Sequence, residues 1–581
     1  MTSNTPPISQ YTALFINECI NTFALTPHPW QMVVGAELIE SGMTGQPIKS
    51  LCVRPTGGGK SLVFNAVAGV LHGVTLCICP LLSLGADQTK KIFSKTFTDC
   101  TSITAFHLDE LSNTAVAKLK RYLDNPVNST KSIIFFASPQ AITDRYNPFV
   151  QYLINGNLIR LVVVDEIHLV SHFGKSFRKE FLLLKDLLFK KLNPSIPMLF
   201  LTATCSTLIA ADIQSMFGIE FNRSHWPPPI DMVHRSVKIN LSYTTRAFQF
   251  VKKTIKNDLA PHPSLPNKVI VYSNRRVRIF NFADKLEQLM DADPNFKTVD
   301  ALTLTGILTK EEKAAFIRMF INGSSKEDST LDMRVLCATS GVGNAGIDSP
   351  DIRAVYRIDF PPSILDMVQE RGRAGRRPDA TSMNYNYYVC ISLESFLYLF
   401  NRILNPSFLV NDETYRTRQI NDLLQVANIF VSRKCYAVVF ETLLGNPCSP
   451  SVDLPRCLDC PACREIKLFP KLNRQGVVEV LFDYFITSST AIHKTLANTI
   501  EFIRKVPNVD HKVFRKKVKK LNPLLIKKMI FLLIASKILV VKFDQTIGEA
   551  GDLSLHLATL NTGYSLALLD DERWANIELT T

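Results

Sequence analysis

Short apolar runs alternate with helix-length amphipathic stretches through residues 1–215. Ser50–Val53, Val74–Cys79, Ser132–Phe136, Leu161–Val164 and Met198–Thr202 are apolar almost without interruption rather than at every second position. That is how strands buried on both faces look, and helix-length spacers between them imply a parallel sheet with its ligand at the strands' carboxyl ends. The polar punctuation falls at those ends: Arg54–Ser61, Pro80-Leu-Leu-Ser-Leu84, Ser138-Pro-Gln140, Asp165-Glu-Ile-His168 and Thr202-Ala-Thr204. Residues 216–405 repeat the alternation, with strands expected at Lys268–Tyr272, Arg334–Cys337, Ala354–Ile358 and Asn386–Ile391. The expected fold class is therefore α/β, with two parallel-sheet lobes. A helical, cysteine-bearing segment follows over 406–467. Residues 468–581 then read as helices, including the strongly apolar Pro523–Ser536. They end in two strand-like runs, Ile538–Phe543 and Leu553–Ala558, which pair across a polar tip.

Composition narrows the class. A chain of 581 residues exceeds a single core. Lys and Arg number 66 against 52 Asp and Glu, and the net charge of +14 favours an anionic partner, nucleic acid ahead of membrane. The longest apolar stretch, Met529–Ile538, is too short to cross a bilayer, so no membrane partner is expected. The N-terminus has no basic-then-apolar leader pattern. The 13 cysteines mostly stand singly within apolar runs, which points to a reducing, intracellular compartment.

Arg54-Pro-Thr-Gly-Gly-Gly-Lys-Ser61 lies between the strand Lys49–Val53 and the apolar helix Leu62–Leu71. Strand, glycine loop, helix is the context of a phosphate cradle, with backbone N–H groups turned inward and the positive end of the helix dipole behind them. Thr56, Gly57, Gly58 and Gly59 would form the cradle, Lys60 would reach the β- and γ-phosphates, and the Ser61 hydroxyl would ligate Mg²⁺. Arg54 stands where the strict pattern has a glycine. Asp165 and Glu166, closing a central strand, can divide the remaining work: Asp165 to the metal, Glu166 to the attacking water. Cys457, Cys460 and Cys463, at x₂ spacing, form a zinc-ligand pattern that needs a fourth donor, for which Cys435 and Cys448 compete.

Pro55–Ser61 taken with Asp165-Glu-Ile-His-Leu-Val-Ser-His-Phe-Gly-Lys-Ser-Phe-Arg178 resembles the RecQ family of superfamily 2 DNA helicases. The resemblance implies two RecA-like motor lobes (1–215, ATP-binding; 216–405, C-terminal), a zinc-binding module (406–467) and a winged-helix domain (468–581). It places Phe173, Phe177 and Arg178 in an aromatic-rich loop that couples DNA binding to hydrolysis. Stacking faces and a cation suit unpaired bases and phosphates. Thr202-Ala-Thr204 matches the family's relay motif, and Gln31 matches the glutamine that reads adenine, although Pro27-His28 replaces the usual Phe-Arg before it. Gln369-Glu-Arg-Gly-Arg-Ala-Gly-Arg376 matches the arginine-finger box; Arg373 and Arg376, three apart, are expected on one helical face, aimed toward a γ-phosphate bound by the first lobe. Gly346-Ile-Asp348 fits the motif before that box, which puts Asp348 near the ribose or the fingers. Cys435 matches the family's first zinc cysteine.

The family implies an ATP-dependent 3′-to-5′ DNA helicase using ATP, Mg²⁺ and Zn²⁺ on single-stranded and forked DNA, in DNA repair and recombination, nuclear in a eukaryote. Two alternatives remain open at this point: a DNA-binding or bridging protein with weak ATPase activity, and an ATP-driven translocase or RNA remodeller that does not unwind.

Overall fold

The structure is a computed structural model of the chain. It describes residues 9–54, 58–79, 103–125, 128, 130–168, 175–203, 205–226, 237–260, 268–296, 299–322, 332–340, 347, 349–376, 385–404, 413–431, 434–444, 457, 460–466, 523–535, 539–544 and 552–557. Two compact units organise them, one built mainly from residues before His234 and the other mainly from residues after it.

The first unit's sheet contains β1 (Lys49–Val53), β2 (Gly73–Ile78), β3 (Ile103–His107), β4 (Ser132–Ala137), β5 (Ile159–Val164), β6 (Met198–Thr202) and β7 (Arg223–His225). The spatial order is β3-β4-β2-β5-β6-β1-β7, with every neighbouring pair parallel. Helices α1 (Gln10–Phe23), α2 (Pro29–Thr44) and α3 (Lys60–Leu71) cover part of it, followed by α4 (Asn113–Leu123), α5 (Pro139–Thr143), α6 (Asn147–Asn155), α7 (Lys175–Leu184) and α8 (Thr207–Phe217). Phe64 and Val67 of α3 pack with Cys52, Cys77 and Val163 of the sheet, while Phe15 and Leu38 extend that core outward through α1 and α2. A Cβ on Gly35 would lie 2.3 Å from the Phe15 ring, so α1 and α2 approach as closely as they do only because that position has no side chain. All five strands expected from the apolar runs are present.

The second unit repeats the design with β8 (Val237–Tyr243), β9 (Lys268–Ser273), β10 (Val299–Leu304), β11 (Asp332–Thr339), β12 (Ile352–Arg357) and β13 (Tyr385–Ile391). Its order is β10-β11-β9-β12-β13-β8, again all parallel. The helices in sequence are α9 (Ala247–Leu259), α10 (Arg276–Asp291), α11 (Lys310–Asn322), α12 (Ile364–Arg371), α13 (Leu393–Leu404), α14 (Glu413–Val431), α15 (Tyr436–Leu444, which groups with the first unit from Phe440 on) and α16 (Pro523–Ala535). Phe531 of α16 inserts among Tyr243, Phe360 and Phe396 at ring separations of 6.1, 5.8 and 5.1 Å. Beyond α16 runs an antiparallel hairpin, β14 (Leu539–Asp544) with β15 (Asp552–Leu557), in the register Leu539↔Leu557. The helices expected between 468 and 522 lie outside the described residues, as does the polar tip of the hairpin.

Candidate nucleotide and metal sites

In the first unit, β1 stops at Val53 because the chain turns. Arg54 N–H still bonds Thr202 O at 2.9 Å, and the loop then closes on Gly59, whose φ of +81° caps α3. Gly59 is needed twice over: that φ is costly for any L side chain, and a Cβ there would meet Gln31 Nε2 at 2.6 Å. Lys60 and Ser61 open α3, and Lys60 Nζ donates to Arg54 O at 3.1 Å. Gly58 is half-buried at the turn, while Thr56 and Gly57 lie outside the described residues. Gln31 is buried with both ends of its amide occupied: Oε1 accepts from His28 N–H at 2.6 Å and Nε2 donates to Gly59 O at 2.8 Å. Gln31 thereby ties the start of α2 to the glycine loop. The Arg54 guanidinium sits 4.8 Å from the centroid of the Trp30 ring.

The two carboxylates close the neighbouring central strand. Asp165 N–H bonds Ile78 O at 2.9 Å and Ile167 N–H bonds Leu201 O at 3.0 Å, which holds the box between β2 and β6. Glu166 adopts φ +48°, a left-handed conformation that costs a non-glycine residue roughly 1–3 kcal/mol and persists only where its surroundings enforce it. Its N–H donates to Asp165 Oδ1 at 2.9 Å. His168 Nδ1 lies 2.9 Å from Thr202 Oγ1 and 3.3 Å from Glu166 Oε2, so one buried imidazole joins the Asp-Glu-x-His box to the first residue of Thr202-Ala-Thr204. Burial, and then the neighbouring Glu166 charge, push the Asp165 carboxyl up to about 7, against the pull of the Lys60 ammonium and the Glu166 N–H. Two adjacent carboxyls at a strand end offer the oxygen ligands that a hard divalent cation takes.

In the second unit, Ser363 caps α12 by accepting from Asp366 N–H at 3.0 Å. The expectation that Arg373 and Arg376 share a helical face is corrected: α12 ends at Arg371, and both arginines lie in the turn beyond it. The glycines account for this, since Gly372 follows the last helical residue and Gly375 takes φ +71°. Arg373 is buried and its N–H bonds Glu370 O at 3.1 Å, while Arg376 Nε donates to Gly372 O at 2.9 Å. Both guanidinium groups act electrostatically on the Tyr272 phenol at the end of β9. Arg371 anchors the segment to the first residue of β8, its NH2 donating to Val237 O at 2.7 Å. Asp348 lies outside the described residues. Motif spacing gave no sign of Arg357, a fully buried guanidinium behind this segment, paired with Glu370 at 2.7 Å and Asp359 at 3.0 Å. A charged residue inside an apolar strand run was the available signal.

Cys435, Cys457, Cys460 and Cys463 bring their Sγ atoms within 4.8 Å of one another. Four thiolates at the usual ~2.3 Å around tetrahedral zinc would stand about 3.8 Å apart, so the set fits that ion. Backbone N–H groups point at the sulfurs: Cys457 N to Cys435 Sγ at 3.3 Å, and Tyr436 N and Cys463 N to Cys460 Sγ at 3.4 Å each. Hydrogen bonds from the Cys457 and Cys460 thiols hold Cys435 well below the ordinary thiol range, and hydrogen bonds with Cys435 and Cys457 push Cys460 up. Cys435 sits in the break between α14 and α15 rather than within a helix; Cys448 lies outside the described residues. Arg464, directly after the last cysteine, donates to Asn240 Oδ1 of β8 at 3.1 Å. Phe177 and Arg178 fall on α7, and Phe173 lies outside the described residues. Among the described residues, no helix is long and apolar enough to cross a membrane.

Comparison with known proteins accounts for this pair of sheets. Residues 34–211 match the family described as DEAD/DEAH box helicase, and residues 249–378 match the helicase conserved C-terminal domain. The chain thus carries the paired motor domains of a helicase. Several of its relatives are named as RecQ-like helicases, in agreement with the resemblance of its motifs. RecQ-like DNA helicase blm-1 of Caenorhabditis elegans is 28% identical over 398 residues, covering 65% of this chain and 35% of that protein. Putative ATP-dependent RNA helicase R290 of Acanthamoeba polyphaga mimivirus is 25% identical over 473 residues, covering 81% of this chain and 74% of that protein. A crystal structure of the DUF1998 helicase MrfA bound to DNA and AMPPNP superposes with a TM-score of 0.49 at 16% identity, over 69% of this chain and 53% of that one. The chain spans only 22% to 48% of the first six curated relatives it matches.

Proposed function

We propose that this protein is an ATP-dependent DNA helicase that moves 3′ to 5′ on single-stranded DNA and opens forked duplexes. The observation that carries the proposal is the convergence of Lys60, Asp165, Glu166 and, through His168, Thr202 at one end of the first sheet. Lys60 and the N-terminus of α3 hold the β- and γ-phosphates, with Gly57, Gly58 and Gly59 shaping the loop. Ser61 and Asp165 hold Mg²⁺, which screens phosphate charge once bound. Glu166 orients the attacking water and accepts its proton, and the His168 contact keeps its carboxylate in place. Arg373 and Arg376 supply positive charge to the transferring phosphoryl group. Asp348 serves the nucleoside end; Gln31, expected there from its motif, is instead engaged at both ends of its amide and supports the glycine loop; and Phe173, Phe177 and Arg178 hold unpaired DNA.

The test is phosphate release with and without single-stranded DNA, alongside strand separation on a 3′-tailed duplex. We expect DNA-stimulated turnover that Glu166→Gln lowers by roughly 10²–10³ with little change in the KM for ATP. Absence of stimulated turnover in the wild type would leave a DNA-binding protein; turnover without strand separation would leave a translocase. The extent of the match to a relative named as an RNA helicase favours one further arm, the same assay on a 3′-tailed RNA duplex.

The four clustered cysteines hold a structural Zn²⁺, which ties α15 to the turn after Cys457. One equivalent of zinc is expected in the wild type and in Cys448→Ser, with loss from Cys435→Ser. Equal retention in both variants would remove Cys435 from the ligand set.

A further inference from the structure

Behind the arginine-bearing turn of the second unit lies a closed cluster of charges. Arg357, the last residue of β12, is completely buried. Each of its terminal nitrogens donates twice. NH1 reaches Ser340 Oγ at 2.6 Å and Glu370 Oε1 at 2.7 Å; NH2 reaches Phe360 O at 3.2 Å and also Asn274 Oδ1. Its Nε lies 3.0 Å from Asp359 Oδ1, while Asp359 Oδ2 accepts from Ser273 Oγ and Asn274 N–H at 2.7 Å each. The other oxygen of Glu370 accepts from Tyr387 OH at 2.9 Å. One guanidinium therefore binds the ends of β9, β11 and β12 to α12, and Tyr387 adds β13.

Such a cluster is a poor device for stability, because dehydrating three charges offsets most of the attraction between them, and apolar side chains of similar volume often serve as well. It does fix geometry, since a planar fork with several acceptors admits few arrangements. What it fixes here is specific. Glu370 is in the last turn of α12, and its carbonyl accepts the N–H of Arg373. The carboxylate held by Arg357 thus sits on the residue from which the Arg373–Arg376 turn departs.

We propose that Arg357 is a positioning residue: through Glu370 it sets the orientation of the turn that presents Arg373 and Arg376, and it does so without touching nucleotide. This rests on the helicase reading above and adds to it a residue that reading did not contain. Displacement of a catalytic group by about 1 Å can cost about 10² in rate while leaving substrate binding nearly intact. Arg357→Gln should accordingly lower kcat for DNA-stimulated ATP hydrolysis by about 30-fold or more, with KM for ATP within about threefold. Glu370→Gln, which keeps an acceptor for Arg357, should retain activity within about fivefold. Hydrogen exchange at the amides of residues 371–376 should accelerate about tenfold in Arg357→Gln, with the amides of β1–β6 unchanged. Wild-type kcat in Arg357→Gln, or unchanged exchange over 371–376, would overturn the proposal and leave Arg357 a structural residue only. If Arg357→Gln does not fold, Tyr387→Phe deletes one hydroxyl of the same cluster and is read the same way, with a kcat loss of about threefold or more expected and none overturning it. A wild type lacking ATPase activity refutes the helicase reading alone, since the exchange measurement still decides whether Arg357 orders the turn.

Discussion

Each unit gathers a pair of acids near the carboxyl end of a central strand, in the second unit one from the loop after β12 and one from α12, and the two pairs are treated in opposite ways. In the second unit, Asp359 and Glu370 face a buried arginine at 3.0 and 2.7 Å, and further donors close around them. In the first, Asp165 and Glu166 are sequence neighbours. The ammonium acting on Asp165 belongs to Lys60, which already donates to a backbone carbonyl. The closed cluster holds a shape. The first unit's pair combines a left-handed Glu166 with a buried Asp165 whose carboxyl is pushed up, an arrangement that a bound cation would relieve. The lesson is that a buried acid becomes structural where a guanidinium and several donors close around it, and remains available for chemistry where its carboxyl is held up by burial.

That contrast can be broken from the open side first. Asp165→Asn removes one of the two carboxyls and should reduce Mg²⁺-dependent ATP hydrolysis by about 10³ or more, measured as phosphate release across a magnesium titration; activity within tenfold of wild type would remove Asp165 from the site. A smaller effect appears without nucleotide. The Asp165 carboxyl stands near 7 when folded, against about 3.9 when unfolded, so between those values the folded chain holds a proton that the unfolded chain has released. Stability should therefore fall as pH rises from about 4 to 7 and level off above 7, by at most about 4 kcal/mol. Urea unfolding in EDTA at pH 5 and 7.5 measures it, and Asp165→Asn should flatten the trend. The smallest effect concerns the support of the loop. Gln31→Ala removes the bond to Gly59 O and should cost about 1 kcal/mol of stability, with a few-fold rise in KM for ATP, whereas intact stability would mean that the tether is incidental.

Four strands escaped the reading of apolar runs, β3, β7, β8 and β10, and they are the four edges of the two sheets. An edge strand needs only one buried face; β8 alternates buried and half-buried residues throughout, and β3 does the same. Continuous apolarity finds strands covered on both sides and passes over such strands. The turn carrying Arg373 and Arg376 was misjudged for a related reason: spacing of three suggests one helical face, but glycines at 372 and 375 had already ended the helix.

By itself the sequence determined the chemistry on offer and its rough address: the glycine loop before α3, the acids after β5, the arginine box after α12, and cysteines at a metal-binding spacing. These are local, set by residues close together in the chain. The tertiary structure alone decided which distant groups meet. It brought Gln31 to Gly59, His168 to Thr202, Arg357 to Glu370, and Cys435 to Cys457 and Cys460. The physical reason is that a strand's pattern records whether its faces are buried but carries nothing about which strand lies beside it. Contacts across a parallel sheet depend on strand order, and that order is settled by packing the whole chain.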